Sequence, residues 1–161
     1  MVLSGSVDNG EFPWLDRVSL ALDIDEGLSY LHSRRIFHRD LTSKNVLIRK
    51  SERRLSAVVA DFGLAAQIPS SPDDVLPPVG SPYWMSPECL RGHYYDHRSD
   101  IFSFGIVLCE MIARVEADPD YLPRTENFGV DYLAFSQLVS PECPPEFLKL
   151  AFSCVNVSHV I

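Results

Sequence analysis

From Arg98 to Ala113 the sequence is apolar almost without relief, ending in the run IFSFGIVLCEMIA. A helix that is apolar on nearly every side has no face to offer to water, so it belongs at the centre of a domain. A membrane span is the other reading, and it fails on two counts. The run from Ile101 to Ala113 is short for a hydrocarbon core, and Glu110 interrupts it. With 161 residues, 46% of them apolar, the chain has material for one sizeable core, and a single domain is the natural count.

The remaining elements arrange themselves around that helix. Leu15, Val18, Leu22, Leu28 and Leu31 recur at a helical spacing and predict a helix from Trp14 to His32. Gly27 inside it costs about 1 kcal/mol relative to Ala, which suggests a close helix contact. Val46-Leu47-Ile48 and Ala57-Val58-Val59-Ala60 read as two strands of a small hairpin, joined by the charged stretch Arg49 to Arg54. Residues 68–82 hold Pro69, Pro72, Pro77, Pro78 and Pro82, whose missing N–H groups and fixed φ forbid a helix or a central strand. Such a stretch is a long functional loop or a disordered one. Segments near 131–140 and 145–156 look helical, and Pro144-Pro145 suits the start of the second. Residues 1–13 read as a loose N-terminal segment ahead of a domain over 14–161.

Several function classes drop out. The balance of 14 Lys+Arg against 22 Asp+Glu, with no basic stripe, gives nucleic-acid binding little electrostatic support. Cys89, Cys109, Cys143 and Cys154 form no C-x-x-C pair and read as reduced, partly buried thiols. The N terminus lacks the basic and apolar regions of a secretory signal, and Val2 stands where myristoylation needs glycine. Asn156-Val157-Ser158 matches a glycosylation sequon, a chance match without a secretory route. A cytoplasmic protein with no membrane span is expected.

The chemistry concentrates in His38-Arg39-Asp40-Leu41-Thr42-Ser43-Lys44-Asn45, followed by Asp61-Phe62-Gly63, Ser86-Pro87-Glu88 and Asp100-x-x-Ser103-x-Gly105. Singly these motifs are weak, but their order and spacing resemble the protein kinase signature set. The resemblance implies an α+β, protein-kinase-like fold, here a mainly helical C-terminal lobe with a small β hairpin. Phosphoryl transfer needs an oriented nucleophile and neutralised phosphate charge rather than covalent chemistry from the protein. Asp40 is the candidate for orienting a substrate hydroxyl and taking its proton. Magnesium takes oxygen ligands, usually one or two from the protein, and Asp61 with the amide oxygen of Asn45 would supply them to Mg2+ (or Mn2+) and ATP. Lys44 would reach the transferring phosphate as a compact cation. Asp100 resembles a family position that opens the central helix and braces the HRD loop; an acid there also suits the helix dipole.

Ala117-Asp118-Pro119-Asp120-Tyr121-Leu122-Pro123-Arg124-Thr125-Glu126-Asn127-Phe128-Gly129 is similar to the segment typical of the LIM-kinase and testis-specific kinase group. HRDLTSKN with GSPYWMSPE resembles the testis-specific branch more closely. That resemblance implies a dual-specificity-type Ser/Thr kinase acting on cofilin/ADF proteins and so on actin organisation. It also makes Ser81 a candidate regulatory phosphorylation site, with Arg39 a possible partner for the phosphate. A rival reading has the Ser81 hydroxyl bonded near Asp40 and Lys44, shaping the substrate pocket. Glu88 would pair with an arginine in a later helical region, for which no obvious candidate is found. No G-x-G-x-x-G and no β3 lysine run precede Asp40. The N-terminal lobe is therefore expected to be missing and the isolated chain to have little activity. The alternative is a non-catalytic module that binds substrates or regulators; Asp40, Asn45 and Asp61 together argue against a pseudokinase.

Overall fold

The computed structural model describes residues 12–156. Val2, the sequon residues Val157 and Ser158, and most of the 1–13 segment lie outside these described residues. At the centre is a helix, Arg98–Ala113, in which nearly every residue from Ser99 to Ile112 is buried. Among the described residues the other helices are Trp14–Ser33 (α1), Pro87–Leu90 (α2), Tyr132–Ser136 (α4) and Pro145–Val155 (α5), the central one being α3. The strands among the described residues are Ile36–Phe37 (β1), Val46–Lys50 (β2), Leu55–Val59 (β3) and Ala66–Gln67 (β4). β2 and β3 form the expected antiparallel hairpin, in register from Val46 opposite Val59 to Lys50 opposite Leu55. It is longer than the apolar residues alone indicate, because the charged ends continue the ladder into solvent. β1 pairs with β4, bringing residues 36–37 beside 66–67, a pairing too short for any periodicity to reveal.

α1 forms where expected and buries Leu28 of the expected stripe, but over its first turns it turns a different face inward. Leu20, Ala21, Ile24 and Leu28 are buried, whereas Leu15 is 80% exposed and Leu22 56% exposed. Both stripes have helical spacing, and the buried one is chosen by what it meets, the β2–β3 hairpin and α3. Gly27 does mark a close approach, but to a strand rather than a helix: a Cβ there would lie 3.3 Å from Val59 Cγ2. Asp23, on the same helix, accepts hydrogen bonds from the Ala57 amide at 2.8 Å and Arg54 Nη2 at 2.7 Å, pinning the hairpin to α1. Asp25 and Glu26 point to solvent.

α1 is also tied to the far end of α3. Arg17 Nη1 donates to the carbonyls of Met111 and Ile112 at 3.1 and 3.2 Å, placing a cation on the negative end of the α3 dipole. On the opposite side α5 lies against Gly105, where a Cβ would sit 2.5 Å from Val155 Cγ1 and 2.7 Å from Cys154 Cβ. The helices touch that closely because the position carries no side chain. Pro145 occupies the first turn of α5, while the segment near 131–140 yields only the five residues of α4, capped by Asp131. Residues 68–81 carry no helix or strand and lead into a 3-10 turn, Pro82–Trp84. Phe37, Ile68, Cys89 and Tyr95 make a second small apolar cluster beside this loop. All four cysteines are unpaired, three of them buried. Among the described residues no helix is long and apolar enough to cross a membrane.

Candidate active site

The loop from His38 to Asn45 leaves β1 and is held from beneath by the first turn of α3. Asp100, 1% exposed, accepts three hydrogen bonds there. Its Oδ2 takes the His38 amide and His32 Nε2, both at 2.8 Å, and its Oδ1 takes the Arg39 amide at 3.0 Å. Arg39 has φ 71°, a left-handed conformation that a non-glycine residue holds only under outside constraint, and the Asp100 carboxylate supplies it. Further along, Thr42 Oγ1 accepts from the Lys44 and Asn45 amides at 3.1 and 3.2 Å, capping a 3-10 turn over Ser43–Asn45. Asn45 Nδ2 donates to the Asp40 carbonyl at 2.8 Å and so closes the loop on itself. Asp40 and Asn45 thus share one rigid turn, with the Lys44 side chain exposed beside them.

Asp61 reaches this turn through its neighbour. The Ala60 amide donates to the Asn45 carbonyl at 2.8 Å, and the Ala60 carbonyl accepts from His38 Nε2 at 2.9 Å. His38 Nδ1 accepts the Asp40 amide at 3.2 Å, so its proton resides on Nε2. Buried His38 therefore stitches residue 40 to residue 60, and its ring packs against Phe62 at 5.2 Å. Asp61 follows at once, with φ 63°, an exposed carboxylate and one hydrogen bond, from the Gly63 amide at 3.3 Å.

Donor chemistry matches a hard cation. With its amide nitrogen turned to Asp40, Asn45 presents an oxygen that no donor reaches among the described residues, and Asp61 adds a carboxylate. Among the described residues no group of three His, Cys, Asp or Glu side chains forms a metal cluster. The Asn45 amide oxygen and the Asp61 carboxylate, the latter bonded to the Gly63 amide of its own loop, are the oxygen groups that could hold such a cation.

The proline-rich loop returns over the same turn. Gly80, at φ 122°, passes so close that a Cβ would lie 2.7 Å from the Arg39 carbonyl. Ser81 Oγ donates to Asp40 Oδ1 at 2.8 Å. Arg39 is already engaged, donating from Nε to the Tyr95 hydroxyl and from Nη2 to the Pro77 carbonyl, each at 3.2 Å.

Residues 6–154 match the protein kinase domain family. The chain belongs to that family. Its relatives include dual specificity testis-specific protein kinase 2 of Homo sapiens, 60% identical over 92% of this chain. Dual specificity testis-specific protein kinase 1 of Homo sapiens is also 60% identical, over 89% of the chain. LIM domain kinase 1 of Drosophila melanogaster is 41% identical over 91%. The kinase domain groups with these proteins, and the testis-specific members are the more similar of the three. It spans about a quarter of the length of the testis-specific relatives, 26% and 24%.

Within this kinase domain, Glu88 is half-buried on α2, and among the described residues no basic side chain forms an ion pair with it. Four residues that lie within the quoted motifs take roles at the site that the sequence reading did not assign. Thr42 caps the turn; Ser43 and Trp84 donate to Glu110; and Arg124 Nη2 donates to the Tyr83 carbonyl at 2.6 Å. Glu110 itself carried one signal. An acid inside an otherwise apolar helix must find hydrogen-bond donors or remain neutral.

Proposed function

We propose that this kinase domain transfers the γ-phosphoryl group of ATP to side-chain hydroxyls of protein substrates. The observation that carries the reading is the closed Asp40–Asn45 turn, with Asp61 one residue beyond the doubly pinned Ala60. Asp40 orients the incoming hydroxyl and accepts its proton as the oxygen attacks phosphorus. A carboxylate oxygen with a serine hydroxyl already bonded to it at 2.8 Å is suited to that work. Asn45 and Asp61 would hold Mg2+ (or Mn2+), which when bound neutralises phosphate charge. Lys44, exposed beside Asp40, adds a second positive charge on the side where the phosphate passes.

Asp100 holds the two amides that shape the loop, and Ser81, bonded to Asp40 rather than facing Arg39, acts as a pocket-shaping residue. Dual specificity toward hydroxyl residues, cofilin/ADF-type substrates, a role in actin organisation and a cytoplasmic setting follow the likeness to the testis-specific and LIM kinases.

A segment exchange tests the reading. The matching stretch of the human testis-specific kinase 2 is replaced by this chain, and ATP-dependent phosphorylation of a serine peptide is measured. The chimera is expected to be active and its Asp40→Asn variant to lose about a thousandfold or more. Equal activity with and without the Asp40 carboxylate overturns the reading.

A further inference from the structure

The tip of the β2–β3 hairpin carries a sequence that the transfer chemistry does not use. Arg53 and Arg54 are followed by Leu55, Ser56, Ala57 and Val58. Two guanidinium groups shortly ahead of a serine, with apolar residues behind it, are what a basophilic protein kinase reads in a substrate. Carboxylates in its groove pair with the arginine forks while the hydroxyl sits at the reacting phosphate. The fold displays this sequence at the surface. Arg53 is exposed, the Arg54 side chain is 59% exposed, and Ser56 is partly exposed. Leu55–Val59 already runs as a strand, the extended form in which a peptide enters a groove. Among the described residues no hydrogen bond engages the Ser56 hydroxyl.

Two neighbours bear on the serine. In the hairpin register Arg49 stands opposite Ser56, which puts both side chains on one face with Cβ atoms about 5 Å apart. Leu47 and Val58, both exposed, share that outward face. Arg49 is exposed and has no ion pair among the described residues. On the α1 side, Asp23 accepts Arg54 Nη2 at 2.7 Å and the Ala57 amide at 2.8 Å. One carboxylate thus occupies an arginine that a modifying enzyme must read and the backbone of the residue just after the acceptor. Asp23 is a latch.

We propose that Ser56 is a phosphorylation site for a separate, basophilic serine/threonine kinase, latched by Asp23 and, once modified, paired with Arg49 across the hairpin. Ser56 Oγ attacks the γ-phosphorus of ATP, and the bond from that phosphorus to the β,γ-bridging oxygen breaks. ADP leaves, and the hydroxyl proton passes to the carboxylate base of the modifying enzyme. The product carries a charge of about -1.5 to -2 beside Arg49, which fastens strand to strand. β2 begins directly after Asn45, and β3 ends two residues before Asp61. Modification at the tip therefore stiffens the unit that joins the two candidate cation ligands. The proposal does not depend on the chain's own transfer activity.

The full chain is incubated with ATP and the catalytic subunit of cyclic-AMP-dependent protein kinase as the basophilic probe, and phosphate is located by peptide mass mapping. Phosphate on Ser56 of the folded chain is expected. Its rate falls about tenfold or more when Arg53→Gln and Arg54→Gln are combined. It rises about threefold in Asp23→Asn, which frees Arg54 while keeping an acceptor for the Ala57 amide. In the phosphorylated chain, amide exchange over residues 49–55 slows about threefold, and Arg49→Gln removes that protection. Phosphate on Ser56 only after unfolding in urea, or a rate indifferent to the two arginines, overturns the proposal. Phosphate on Ser56 without the added enzyme overturns it too, since the chain then modifies itself. An Asp23→Asn rate no faster than the parent's overturns the latch, and unchanged exchange overturns the pairing with Arg49.

Discussion

Replacing Asp100 by asparagine changes one oxygen to an NH2 group with almost no change in volume, so its effect comes down to the three hydrogen bonds this side chain accepts. The amide oxygen settles where Oδ2 was, because there it keeps two of the three donors, the His38 amide and His32 Nε2. The NH2 group then confronts the Arg39 amide, formerly bonded at 3.0 Å, donor against donor in a buried place. A hydrogen bond to a charged acceptor contributes about 1.5–3 kcal/mol, and a stranded buried donor adds a penalty of similar order, so a loss of about 2–4 kcal/mol is expected. For a chain of this length that is a fall in Tm of roughly 6–12 °C. The damage is local in origin, since the Asp100 bond holds Arg39 at its positive φ. Urea unfolding of the parent and Asp100→Asn chains gives the global change, and amide exchange at Arg39 gives the local one. A stability change below about 0.5 kcal/mol, with the Arg39 amide as protected as before, would refute the view that this carboxylate holds the loop.

Packing and titration give two other expected outcomes. Gly105→Ala should destabilise by about 1–3 kcal/mol despite alanine's better helix propensity, because the new methyl would lie 2.5 Å from Val155 and force α3 and α5 apart; thermal melts decide it. Glu110 has a folded-state pKa raised from 4.5 to about 7. Its folded form therefore holds the proton more tightly, and the stability this contributes is complete below pH 4.5 and lost as pH rises through 7. The difference is about 3 kcal/mol, and it should be absent when Glu110→Gln is unfolded in urea across the same pH range.

Much of the architecture was legible because it depends on local order. The all-apolar run of α3 has one solution in water, and the structure buries it. The hairpin was readable from two short β-rich runs joined by a charged stretch, and the proline-rich loop from missing donors, since each property belongs to residues adjacent in the chain. The choice of stripe on α1 was not legible. Leu28 was legible as inward and is buried, but before it Leu15, Val18 and Leu22 repeat as regularly as Leu20 and Ile24, and only the position of β3 and α3 distinguishes them. Gly27 announced a close neighbour without saying that it would be Val59 of a strand.

The candidate site divides in the same way. The order of Asp40, Lys44, Asn45 and Asp61 is written in the chain, and a separation of five positions between an acid and an amide suffices for one tight turn to present both. Everything that links distant stretches was decided by the fold. Ser81 bonds to Asp40 across forty-one positions, and Glu110 joins Ser43 to Trp84 across sixty-seven and twenty-six. Such contacts depend on where elements come to rest, and a hydroxyl or indole carries no mark in sequence of the partner it will meet. The amino-acid order by itself determined which groups are available and which helix lies innermost, because hydrophobic periodicity and backbone constraint act over a few residues. Tertiary packing alone decided which of those groups touch, because a hydrogen bond forms only where the fold holds donor and acceptor within about 3 Å.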